Sequence, residues 1–188
     1  MRSQETGRAP QPRTYTVVDS PFGPLTLVAA GARLCGLYMH EQRHRPPQSA
    51  FGTPADGVTG VHATAAAQLA EYFAGRRTVF TVPLALSGTP FQRTVWEALP
   101  TIPHGRTVTY GELAARVGNP AASRAVGLAN GRNPVGVIVP CHRVVGANGA
   151  LTGYGGGLER KRRLLDHESA TLTAGAPPEP AGLTARTG

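Results

Sequence analysis

Cys141 and His142 are the residues of this chain best suited to covalent chemistry. They stand in the run Pro140-Cys141-His142-Arg143-Val144-Val145. A cysteine attacks as its thiolate, and a nearby base or cation makes that thiolate easier to form. Adjacent residues on an extended chain point to opposite sides. A direct Cys141–His142 contact therefore needs a bend, and otherwise a water must bridge them. Glu168, at the end of a helix expected over 158–167, can orient the imidazole as the third member of a relay. A Cys–His pair by itself is more often structural than catalytic. Zinc would have to draw on Cys141, His142, His104 or His167 without any C-x-x-C spacing, so no metal is expected. Cys35 lies in an apolar run and reads as inert core.

Several elements must position this pair. The apolar run 135–139 suits a short buried strand that would hold Cys141 at its end. Upstream, Thr89 can cap a helix with Pro90 at its first position. Phe91, Val95 and Leu99 then share a face, with Trp96 beside them. Thr109-Tyr110-Gly111-Glu112 fits a capping box opening a helix through Arg116. Gly118-Asn119-Pro120 stops that helix and caps the next, expected over 121–130 and ended by Gly131. Two short helices around a tight turn resemble a helix-turn-helix. On the second, Ala121, Ala122, Ala125 and Ala129 form a small-residue face that admits a partner closely, or simply packs against another helix.

The first half reads as a small α/β unit over 13–88. Two strands join at a turn over 20–24, and a third strand covers 33–40. A loop spans 41–60, an alanine-rich helix 61–73 stops near Gly75, and a weak strand covers 79–84. The helical unit follows over 89–168. Residues 1–12 and 169–188 are polar or rich in Pro, Gly, Ala and Thr, and read as disordered tails. No internal repeat is present.

The chain of 188 residues is long enough to bury a core without disulfides, and its two cysteines exclude a disulfide-rich scaffold. No apolar run approaches the ~18 residues that span a bilayer, and the amino terminus has no apolar segment of a signal peptide. These features point to a reducing cytoplasm. The net charge is +8, and Lys161 is the only lysine among 19 basic residues. Arginines 106, 116, 124, 132 and 143 face a single acid, Glu112, in that stretch. Arginine forks onto phosphate and stacks on bases, so this local excess suggests nucleic acid.

The run from 124 to 168, RAVGLANGRNPVGVIVPCHRVVGANGALTGYGGGLERKRRLLDHE, closely resembles the O6-alkylguanine-DNA alkyltransferase family. PCHRV is that family's active-site signature, and the NPV-x(4)-PC spacing before it matches too. TPFQRTVWEALPTIPHGRTVTYGELA upstream is similar to the family, and SPFGPLTLVA more loosely so. The similarity covers about residues 13–168.

The resemblance implies an α/β fold: a small ribonuclease-H-like N-terminal domain, and a helical C-terminal domain with a winged-helix-like helix-turn-helix. It implies direct damage reversal, in which an alkyl group passes once, irreversibly, from O6 of guanine (or O4 of thymine) in DNA to Cys141. His142 would be its base through water, Glu168 would orient His142, and Tyr110 would hydrogen-bond the leaving guanine. Asn133 would brace the turn between recognition helix and active-site strand. Arg124 would enter the duplex and replace the extruded base. Carbonyls of Cys141 and Val144, with Tyr154 and Gly155, would line the guanine pocket, and Pro140 would wall it. Gly155 stands where some relatives carry serine, which leaves only a backbone N–H there. Together with Gly153, Gly156 and Gly157 it is expected to loosen the pocket for larger alkyl groups. Ala121, Ala122, Ala125, Ala129 and Arg132 would meet the minor groove of double-stranded DNA. A monomer at the nucleoid, free of membrane and of any cofactor, is implied. Rival readings are a cysteine-free flipping relative, a regulator and a thiol hydrolase. Cys141, the intact PCHRV and the absence of a second base-bearing motif argue against each in turn.

Overall fold

The computed structural model of the chain describes residues 11–175. The expected tail residues 1–10 and 176–188 lie outside it.

The first half is a four-stranded sheet carrying one helix. Strands β1 (Arg13–Val18), β2 (Leu25–Ala30) and β3 (Arg33–Met39) pair antiparallel in sequence. The predicted turn between β1 and β2 is closed by Ser20, whose Oγ accepts from Phe22 N at 3.1 Å. Gly23 takes the positive φ of 88° that the turn requires. A short β4 (Thr53–Pro54) pairs parallel to β1 at the far edge. This strand, and a 3-10 turn at Gln48–Phe51, lie inside the stretch expected to be all loop. Phe51 explains the difference: it stacks on Tyr38 at 5.2 Å and anchors the stretch under the sheet. Helix α1 (Gly60–Phe73) buries Ala65, Leu69 and Tyr72 against the sheet's other face.

The expected strand over 79–84 is extended chain with only an isolated bridge between Leu34 and Leu84. Two local facts account for this. Pro83 has no N–H to donate. The Gln68 side chain satisfies Thr81 instead, accepting from its N at 2.9 Å and donating to its Oγ1 at 2.7 Å.

The second half is helical. Helix α2 (Pro90–Ala98) and α3 (Tyr110–Arg116) each open with a full capping box, Thr89 with Gln92 and Thr109 with Glu112. Between them, β5 (Val108–Thr109) pairs parallel with β6 (Val144–Val145). Helix α4 (Ser123–Gly131) packs on α3 after a 3-10 turn at Pro120–Ala122, so it starts two residues later than expected. Gly131 is its last residue and not a left-handed cap. Trp96 ties α2 to α4 by donating from Nε1 to Ala129 O at 2.8 Å.

Helix α5 (Leu158–Gly175) runs eight residues past its expected end. Residues 169–175 are thus helix rather than tail, and Glu168 lies within α5. One apolar cluster joins both halves, from Leu27, Leu37 and Leu69 to Val95, Val126, Val139 and Leu164.

Replacing Gln68 by Ala should cost about 1–2 kcal/mol, because it removes both hydrogen bonds that hold the exposed Thr81. Urea unfolding checks this, with an unchanged slope. A loss below about 0.5 kcal/mol, the range of ordinary surface changes, would mean that other contacts hold the segment.

Candidate active site

The stretch leading to Cys141 is buried as expected but is not a strand. Asn133 bends it into a compact turn. Its Nδ2 donates to Val139 O at 2.7 Å, and its Oδ1 accepts from Val135 N at 3.0 Å. Inside this brace Val137 has a φ of 69°. A β-branched residue rarely takes that conformation, and it persists only where its surroundings over-determine it. Pro140 then leads into a 3-10 turn, Cys141–Arg143. Cys141 therefore sits inside the core rather than at an exposed strand edge.

The same turn bends the chain at Cys141 and His142, but no hydrogen bond joins their side chains. His142 is fully buried, and its Nε2 lies 2.8 Å from Glu168 Oε1. A carboxylate only accepts, so Nε2 carries the proton and donates. Nδ1 then holds the free lone pair, and no protein group binds it. Burial pulls the imidazole's pKa down and keeps the ring neutral, although Glu168 opposes this.

Glu168 is itself buried, and burial alone would raise its pKa. The hydrogen bond from His142 and the hydrogen bonds and charge of Arg143 outweigh that and hold it well below the usual carboxylate range. Arg143 clamps it with Nε at 2.9 Å from Oε2 and Nη2 at 2.9 Å from Oε1. Gly105 N donates to Oε2 at 2.8 Å, and Tyr72 Oη to Oε1 at 2.8 Å. The sequence reading counted Arg143 in the basic surface near the helix-turn-helix. It is instead consumed in the core.

Burial pushes the Cys141 thiol up, while Asn133, the Lys161 charge and backbone N–H groups pull it back. Lys161 has no accessible surface, and its Nζ donates to the carbonyls of Val144 and Thr152, both at 2.6 Å. Burial lowers its pKa to about 8. Its role was missed at the sequence level. The signal was there, as the single lysine of an arginine-rich chain.

A cavity of about 10 Å³ opens beside Cys141, lined by Leu37, Met39, Asn130, Asn133 and Tyr154 with Gly155 and Gly156. That space holds about one water-sized sphere, so a purine enters only if the covering loop over 152–157 moves. Tyr110 Oη currently donates to Thr152 O at 3.0 Å, which keeps the loop down. Gly155 is pinned by its carbonyl, which accepts from Arg43 N at 2.8 Å. At Gly156 a Cβ would stand 2.7 Å from the Tyr154 ring and 2.8 Å from Met39 Sδ, so only glycine fits.

Of the expected pocket residues, Cys141, Tyr154 and Gly155 meet at this cavity, where Asn133, expected to brace the turn, also lies. Pro140 and Val144 are buried beside it and do not line it. The Val144 carbonyl is taken by Lys161, and that of Cys141 accepts from Asn130 Nδ2 at 3.1 Å. The Cys141 carbonyl also accepts from Val144 N, so both of its lone pairs are engaged. Asn130 was not anticipated. It joins α4 directly to the nucleophile's backbone, and its Oδ1 is buried without a protein partner.

In the 3-10 turn before α4, Ala121 is exposed and Ala122 half-buried; on α4 itself Arg124 and Ala125 are exposed, as is Arg132 just beyond it. Ala129 is a correction. It is buried with Val126 and Asn130 on the inward stripe of α4, and its carbonyl binds Trp96. Leu128 takes the outward place instead and is 70% exposed. Among the described residues, no group of three or more His, Cys, Asp or Glu side chains could hold a metal.

Three histidines, His62, His104 and His142, have pKa values lowered by burial. As pH falls through about 6.5 the unfolded chain binds protons that the folded one refuses, so stability must fall with pH. Glu168 adds its own loss below about pH 4.3. Urea midpoints should be lower at pH 5 than at pH 7.5. Equal or higher midpoints at pH 5 would contradict these environments.

Residues 14–86 match the family model for the 6-O-methylguanine DNA methyltransferase ribonuclease-like domain, and residues 90–170 match its DNA binding domain. The methylated-DNA–protein-cysteine methyltransferase of Mycobacterium bovis is 53% identical over 160 residues, covering 85% of this chain and 94% of that protein. The one from Salmonella typhimurium is 46% identical over 162 residues, covering 82% and 95%. Among solved structures, Mycobacterium tuberculosis OGT in complex with DNA superposes with a TM-score of 0.79 at 53% identity, over 84% of this chain and 94% of that one. With both halves matched in order and relatives this similar over most of the chain, the chain belongs to the 6-O-methylguanine DNA methyltransferase family.

Proposed function

We propose that this protein repairs double-stranded DNA by moving the alkyl group of O6-alkylguanine onto Sγ of its own Cys141. Its activity is that of a methylated-DNA–protein-cysteine methyltransferase, which reverses damage directly. The observation that carries the assignment to these residues is the buried Cys141–His142–Glu168 series, in which His142 keeps Nδ1 free as an acceptor.

In this reading His142 Nδ1 takes the thiol proton through a water. Sγ attacks the alkyl carbon, the S–C bond forms as the C–O6 bond breaks, and the electron pair stays with the guanine. Tyr110 leaves Thr152 O and donates to the departing base, which stabilises the developing charge. Burial raises the Tyr110 pKa, so it stays a protonated donor at neutral pH. The guanine finishes with the one proton that the thiol gave up. Nothing placed at the site removes an alkyl group from a thioether, so each chain acts once. O4-alkylthymine fits the same chemistry as a second substrate.

A base inside a duplex cannot reach a cysteine this deep, so it must be extruded. The exposed face of Ala121, Arg124 and Ala125, with Arg132 beyond it, is the surface we assign to the minor groove, where an inserted side chain offsets the lost stacking. Arg124 is that side chain, and Leu128 adds an apolar neighbour one turn on. Phosphate contacts give sequence-tolerant binding. The protein acts as a monomer on nucleoid DNA in the cytoplasm. Among the described residues no helix is long and apolar enough to cross a membrane.

Incubation with a duplex carrying O6-methylguanine should add one methylene per chain, on the Cys141 peptide. Cys141→Ser should bind that duplex and gain nothing, because a hydroxyl ionises far less readily than a thiol. Methyl on Cys35, or more than one transfer per chain, would overturn the assignment. Arg124→Ala should slow repair of the duplex at least tenfold more than reaction with free O6-benzylguanine, which needs no extrusion. Equal losses on both substrates would make Arg124 a fold residue.

A further inference from the structure

The series Cys141–His142–Glu168 comes wholly from the second half of the chain, yet Glu168 has a partner from the first. Tyr72, on α1, donates from Oη to Glu168 Oε1 at 2.8 Å across 96 positions of sequence. That same oxygen accepts from His142 Nε2, also at 2.8 Å. Tyr72 has no accessible surface. Its ring lies between His104 and His167, with centroids 5.9 and 5.2 Å away. Its own carbonyl lies 2.8 Å from His167 Nε2, so α1 is fixed to α5 by main chain as well as by the phenol.

We infer that Tyr72 is a positioning residue for alkyl transfer, by which the N-terminal half sets the basicity of His142 through a shared carboxylate oxygen. The inference rests on the proposed function and deepens it. A core tyrosine need only bury its ring and find any acceptor for its hydroxyl. This one finds the single oxygen that orients the catalytic imidazole. A hydrogen bond to a charged acceptor lies at the strong end of the range. By drawing charge from Oε1, the phenol weakens the grip of Glu168 on the proton at Nε2. The imidazolium is thereby less stabilised, and His142 remains a neutral acceptor to lower pH.

Other groups face His142 from every side. Glu168, Lys161 and His167 come from α5, and Arg143 and Cys141 from its own turn. His104 comes from the segment before β5, its Nδ1 3.8 Å from Glu168 Oε1. Arg143 is charged at every accessible pH and Lys161 is engaged by two carbonyls, so neither substitutes for a hydroxyl directed at Oε1. Tyr72 has its pKa raised strongly by burial and then by the Glu168 charge. It therefore donates throughout the working range and does not itself titrate there.

The test is Tyr72→Phe, which keeps the ring and its packing and removes one oxygen. The pH dependence of Cys141 alkylation is measured with two donors, the O6-methylguanine duplex and iodoacetamide. Glu168 then binds the Nε2 proton more tightly, the imidazolium persists to higher pH, and neutral base is lost earlier on acidification. The low-pH limb should move up by about half to one pH unit with both donors, with little loss on the alkaline side. A uniform loss at all pH values, or a limb that stays in place, would make Tyr72 a packing residue and overturn the inference. If the wild type alkylates with iodoacetamide but not with the duplex, the proposed function fails. The limb seen with iodoacetamide still decides the role of Tyr72.

Discussion

The structure depends on one buried carboxylate. Glu168 accepts from His142, Arg143, Tyr72 and Gly105, which belong to a 3-10 turn, a core helix of the first half and a loop before β5. A buried ion is expensive unless it is paired and fully hydrogen-bonded. Here the four partners come from three separate elements, so satisfying Glu168 aligns all three at once. The arrangement makes the Nε2–H form of His142 the default. It also explains why α5 passes through the middle of the site and continues to Gly175 rather than ending at the carboxylate.

A second set of contacts joins chemistry to recognition. Asn133 braces the turn that delivers Cys141, and Asn130 on α4 holds the Cys141 carbonyl. The helix assigned to the minor groove is thus one residue removed from the nucleophile. Lys161 performs the matching task on the other side by joining the covering loop to β6. Extra volume on Sγ has little room to dissipate, since the cavity is water-sized and its walls lead to α4. Overpacking of that kind disturbs backbone as well as side chains.

Features with a local chemical cause were legible in the sequence. The N-cap at Thr89, the capping box at Thr109, the hairpin turn at Ser20 and the adjacent Cys141–His142 pair follow from residue types at short spacing, whereas Glu168 lies 26 positions from His142. The family resemblance supplied the two-part fold. What escaped notice has a common physical origin, namely side chains that satisfy backbone groups in place of a neighbouring strand. Asn133 converts an apolar run that reads as strand into a compact turn, and Gln68 does the same for 79–84. Ala129 was placed outward because small residues carry little periodic signal, whereas Val126 and Asn130 fix its stripe inward. Asn130 itself was a readable clue, as a polar residue on a buried face. No pattern in the chain reveals that Tyr72 meets Glu168, since their meeting requires both halves to be folded.

The central claim is that burial keeps His142 neutral while Glu168 fixes its proton on Nε2 and leaves Nδ1 open. Nitrogen-15 NMR of the histidine rings reads this directly at pH 7. The account predicts that Nε2 of His142 has the shift of a protonated nitrogen and Nδ1 that of a bare one. It also predicts that replacing Glu168 by Gln disturbs the pattern. An imidazolium at pH 7, or a proton on Nδ1, would contradict it, because His142 could not then accept the proton of Cys141.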